Sequence, residues 1–111
     1  MVDDQQFNID AIEIMMLYGC KVDPKDLCDY AYNGRQAIEA VKKNVEKNEG
    51  KYCDYNLILI DCNMPFIDGY EATSAIREYL YQLGIEQPII TAVTGHVDDN
   101  NLKKGLACGM N

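Results

Sequence analysis

The chain has 111 residues, 48% hydrophobic and 25% charged, which gives room for one domain with one core and excludes a disordered composition. Its net charge of −8 is wrong for holding nucleic acid or an anionic membrane. A metal cation, or a partner with a basic face, suits it better.

In chain order, Met1-Val2 lead into the acid pair Asp3-Asp4. Residues 6–18 then place Phe7, Ala11, Met15 and Tyr18 at helical spacing, with Asp10 and Glu13 elsewhere around the turn and Gly19 as the stop. Residues 26–32 roughly alternate apolar with polar and predict a short strand. Asn33-Gly34 turns the chain into a helix striped by Ala37, Ile38, Val41 and Val45. A loop over 48–55 precedes the apolar strand 56–60, which stops at Asp61. A helix over 69–83 carries Tyr70, Ala72, Ala75, Ile76, Tyr79 and Leu80 and stops at Gly84. Residues 88–93 form another apolar run, and the tail from Asp98 predicts a short helix capped by Asp98 or Asp99.

Strands 57–60 and 89–93 are apolar on both faces, as parallel strands are when helices cover both sides of a sheet. Alternation of strands with helices predicts a parallel, doubly wound α/β sheet, whose working residues gather beyond the carboxyl ends of its strands. Asp3-Asp4, Asp61 and Thr94 stand there. Each alone has a plain reading, as an N-cap, a turn residue or a strand-end hydroxyl. Three carboxylates on one rim repel one another, and a hard cation such as Mg2+ relieves that. A carboxylate beside such a metal can attack phosphorus, while a hydroxyl opposite holds a phosphoryl oxygen.

The five cysteines, Cys20, Cys28, Cys53, Cys62 and Cys108, form no C-x-x-C pair, and His96 is the one histidine. Zinc is therefore not expected, and reduced thiols in a cytosolic protein are. No stretch approaches the roughly 18 apolar residues of a membrane span, and the N-terminus lacks the basic-then-apolar order of a signal peptide. A cytoplasmic location is expected, unless a longer parent chain carries a targeting segment.

Val2-Asp3-Asp4, LILIDCNMPFIDGYEAT (57–73), PIITAVTG (88–95) and GLACGMN (105–111) together resemble the receiver domain of two-component response regulators, particularly those of hybrid histidine kinases. The resemblance implies a flavodoxin-like fold with strand order 2-1-3-4-5. It implies Asp61 as phosphoacceptor for a histidine kinase or phosphotransfer domain, in a cytoplasmic setting that includes the cytosolic part of a membrane-bound kinase. Asp3, Asp4, Asp61 and the carbonyl of Asn63 would hold Mg2+. Thr94 would bind the phosphoryl group and switch, and Gly95 would leave space for it. Asn63 and His96 fall where the family tunes the lifetime of the phosphate, although for His96 the reading as an exposed loop histidine stands beside that role.

The family's first strand is several residues longer than Met1-Val2, and its fifth strand, Lys-Pro and last helix would follow Asn111. The expectation is a single, incomplete receiver over residues 1–111, with the edge of the 89–93 strand open to self-association. Such a piece would phosphorylate poorly by itself. Lys103 and Lys104 read as surface charge rather than as replacements for the family's lysine. Two rivals are weighed. An aspartyl phosphatase of the haloacid dehalogenase type needs an acid two residues after its nucleophile, where this chain has Asn63, so an enzyme acting on external substrates is not expected. The alternative is a pseudo-receiver that is never phosphorylated and serves as an interaction module.

Overall fold

The structure, a computed structural model, describes residues 1–21, 27–93 and 99–111. It contains helices α1 (Gln6–Gly19), α2 (Gly34–Lys47), α3 (Gly69–Gln82) and α4 (Asp99–Cys108), and strands β1 (Leu57–Ile60) and β2 (Ile89–Ala92). The strands pair in parallel, from Leu57 opposite Ile89 to Ile60 opposite Ala92. On the other side of β1, Val2 makes parallel bridges to both Ile60 and Ala31. The spatial order is therefore Ala31, Val2, β1, β2, which is the 2-1-3-4 portion of the expected order. The fold is α/β of the flavodoxin-like kind.

The strand expected over 26–32 contracts, among the described residues, to the single bridge at Ala31. Its partner segment is Met1–Asp3. Ala31 donates to the Met1 carbonyl (2.9 Å) and accepts from the Asp3 N–H (3.0 Å), while the Asp29 carbonyl takes the terminal ammonium instead (2.9 Å).

One face of the sheet meets the main core. Ile58, Ile60 and Ile90 cluster with Ala37, Val41 and Val45 of α2 and with Ala72, Ile76 and Leu80 of α3. The expected stripe on α2 is therefore the buried one, with Ile38 packed at its margin. Residues on the opposite face are less covered than their apolarity implies, since Leu57 and Ile89 are each 53% exposed. On α1, Phe7, Ala11, Met15 and Tyr18 all point to solvent, and Ile9 is the buried residue. The reason is that α1 carries apolar side chains on several faces, with Ile9, Ile12, Ile14, Met15, Met16 and Leu17 interrupted by Asp10 and Glu13. Periodicity alone then does not select the inner face.

Helix starts follow local chemistry. Asn33 caps α2 by accepting from the Gln36 N–H (2.8 Å), and the Gln36 side chain in turn accepts from the Tyr32 N–H (2.9 Å). Asp68 caps α3 by accepting from the Glu71 N–H (2.9 Å). The caps expected for α4, Asp98 and the side chain of Asp99, lie outside the described residues.

Arg77 of α3 ties the far end of the sheet together. Its guanidinium donates to the carbonyls of Gly109 (2.8 Å) and Pro88 (2.6 Å), and to the side chains of Gln87 (3.1 Å) and Asn111 (2.7 Å). Asn111 also occupies the outer edge of β2, accepting from the Ile90 N–H (2.9 Å) and donating to its carbonyl (2.8 Å). That edge is thus satisfied at Ile90 rather than bare along its whole length. Lys103 and Lys104 are exposed as expected, although Lys104 also sits 4.5 Å from the centre of the Tyr70 ring. Replacing Arg77 by Met keeps most of the stem but leaves two carbonyls without their donor. Urea unfolding should show a loss of about 2 kcal/mol. Lys104→Met, which removes one surface cation–π contact, should lose less than about 1 kcal/mol. Equal losses in the two variants would refute the tie.

Candidate functional site

Backbone pairing builds the site. The Val2 N–H donates to the Leu59 carbonyl and the Asp61 N–H donates to the Val2 carbonyl, both at 2.8 Å. These bonds fix Asp3-Asp4 and Asp61 at the carboxyl ends of neighbouring strand positions. Asp3, Asp4 and Asp61 each offer a carboxylate oxygen, and these oxygens lie within 4.8 Å of one another. Asp3 is buried, while Asp4 and Asp61 are half-buried.

The acids are held from behind. The Oδ1 atom of Asp3 accepts from the Gln5 N–H (2.9 Å) and from the Asn8 amide (3.3 Å). The Oδ1 atom of Asp61 accepts from the Asn63 N–H (3.1 Å). Both contacts of Asp3 are local, two and five residues on, so an Asp just ahead of a helix start was the signal that could have pointed to Gln5 and Asn8. Burial pushes the Asp61 carboxyl above its usual range; the Asn63 and Cys62 N–H groups oppose this, and the charges of Asp3 and Asp4 add to it. Crowded carboxylates with oxygen ligands only are the donor set of a hard divalent cation, and the cluster fits one. Thr94, Gly95 and His96 lie outside the described residues.

The segment 61–69 is anchored at Cys62, Met64 and Gly69, which are buried. A Cβ at Gly69 would stand 2.3 Å from the Asp61 carbonyl oxygen, so only glycine lets α3 begin there. A Cβ at Gly34 would stand 2.5 Å from the Ile67 carbonyl oxygen, which brings the start of α2 against the same loop. Met64 is buried in the core beneath it.

The carboxylate cluster stands beyond the carboxyl ends of a parallel α/β sheet, which is where open sheets of this class place their ligand sites. The sequence profile of the response regulator receiver domain matches residues 1–111, and the chain belongs to that family. It is 33% identical, over its full length, to the osmosensing histidine protein kinase SLN1 of Saccharomyces cerevisiae, of which it spans 8%. Among solved structures it is similar to the receiver domain of the Arabidopsis thaliana histidine kinase CKI1 complexed with Mg2+. That match has a TM-score of 0.80 and 25% identity, covering 98% of this chain and 75% of that one. It is also similar to the Saccharomyces cerevisiae receiver of Ssk1, crystallised with the histidine phosphotransfer protein Ypd1. Here the TM-score is 0.74 and the identity 28%, over 99% of this chain and 71% of that one. The matching family model is that of a receiver domain, and no described helix is long and apolar enough to cross a membrane.

The raised pKa of Asp61 has a consequence for stability. A carboxyl whose pKa is higher folded than unfolded stabilises the fold below its unfolded pKa, and that contribution is lost as pH rises through the folded value. In metal-free buffer at pH 7, Asp61→Asn should therefore unfold at a higher urea concentration than the wild type. The gap should close as the pH falls toward that of the protonated acid. A lower midpoint for Asp61→Asn at pH 7 would contradict the assignment of crowding and burial to this carboxyl.

Proposed function

We propose that this chain is a phosphoacceptor receiver of a phosphorelay. A carboxylate oxygen of Asp61 attacks the phosphorus of a phosphohistidine, the new O–P bond replacing the N–P bond, and the imidazole leaves and takes up a proton. Hydrolysis of the acyl phosphate later returns the carboxylate. Asp3, Asp4, Asp61 and the backbone carbonyl of Asn63 would hold Mg2+, which when bound supplies positive charge against the anionic phosphoryl oxygens. Thr94 and Gly95 are proposed to receive the phosphoryl group, with Thr94 as the switch, and Asn63 and His96 to set how long it persists.

The observation that carries this reading is the meeting of Asp61, at the end of β1, with two acids from a distant segment inside a 4.8 Å cluster. Membership of the receiver family and the Mg2+ complex of a similar receiver support it. The donor is proposed to be a histidine kinase or phosphotransfer domain, as the co-crystal of a similar receiver with a phosphotransfer protein suggests. The exposed apolar face of α1, with Phe7, Ile14, Met15 and Tyr18, runs away from Asp3-Asp4 and offers a seat beside the acids.

Incubation with Mg2+ and phosphoramidate should add one phosphoryl group, stable in acid and labile in base. Asp61→Asn should take none, and Asp4→Asn should react at least about tenfold more slowly. A wild type that takes no label under these conditions would instead be a receiver fold serving only as an interaction module.

A further inference from the structure

We propose that Phe66 is an anchor that the phosphohistidine-bearing partner must seat, and so a residue that selects that partner. This rests on the phosphoacceptor reading above. Phe66 is 100% exposed and has φ 67°, a left-handed conformation that is strained for so bulky a side chain. Looseness of the loop does not account for its position. Two residues earlier Met64 is buried, and one residue later Ile67 packs against the core with its carbonyl set against Gly34. Asp68 then caps α3. The loop is pinned on both sides of Phe66 and holds the ring outward.

Folding gains nothing from a phenylalanine here. Glycine would adopt the same φ without strain, and no apolar burial offsets the difference. The chain has only two phenylalanines, and the other, Phe7, is 79% exposed in the first turn of α1. Phe66 follows Asp61 and Phe7 follows Asp3-Asp4, so both rings stand on the segments that leave the acid cluster. Rigid exposed aromatic rings beside a reactive centre are what a partner buries at the centre of an interface. The partner is not a second copy, because a chain with net charge −8 would bring its acid rim against an identical one. A domain with an apolar recess for the ring and basic residues facing Asp3, Asp4 and Asp61 is complementary, and the phosphohistidine donor must approach that same rim.

The test compares Phe66→Gly with wild type, using two donors in the presence of Mg2+: phosphoramidate, and phosphorylated Ypd1 as the protein probe. The urea midpoint of Phe66→Gly should equal or exceed that of the wild type, because the strain is relieved. Labelling by phosphoramidate should agree within about twofold, whereas transfer from phospho-Ypd1 should fall at least about tenfold, through a raised KM rather than a lowered maximal rate. Phe66→Tyr should restore transfer. Equal transfer to Phe66→Gly and wild type would overturn the proposal, as would a wild type labelled by phosphoramidate but not by phospho-Ypd1. Absence of phosphoramidate labelling in the wild type would defeat the phosphoacceptor reading itself, and this inference with it.

Discussion

Everything at the rim depends on two backbone hydrogen bonds, from the Val2 N–H to Leu59 and from the Asp61 N–H to Val2. They bring three carboxylates together that would otherwise separate, since like charges at such distances repel and burial adds to the cost of ionising Asp61. The attraction that opposes this repulsion is not local. It is the burial of Ile58, Ile60 and Ile90 against α2 and α3, which holds the sheet in place whatever the acids prefer.

The rim is made rigid by close approach as much as by hydrogen bonds. Gly69 allows α3 to start directly against the Asp61 carbonyl, and Gly34 allows α2 to start against Ile67. With Met64 buried below and Asp68 capping above, the segment that leaves Asp61 has few ways to move. Such a scaffold holds the Asp61 carboxylate in a fixed direction. The exposed Phe66 stands on that pinned segment.

Away from the rim the structure is less evenly built. The α2 and α3 side of the sheet is densely apolar, while Leu57 and Ile89 stay half in water on the other. Arg77 links α3, the turn before β2 and the last residues through carbonyl and amide oxygens. A guanidinium suits this role because its planar fork can serve several acceptors at once.

Much was legible in the sequence. The apolar run ending at Asp61, the Asn33-Gly34 and Asp68-Gly69 helix starts and the α2 stripe all depend on neighbours in the chain, and local chemistry determines them. The motif around Asp61 was specific enough to indicate the receiver family before any contact was known. Residues 26–32 read as a strand because alternation is local, yet a ladder requires a partner, and among the described residues only Ala31 meets one. The inner face of α1 could not be read, because a helix with apolar residues on several faces leaves the choice to packing. The closeness of Gly69 to Asp61 and the reach of Arg77 to Asn111 were decided only by the tertiary structure. Each joins groups whose meeting depends on where helices settle on the sheet, and no spacing in the chain encodes that position.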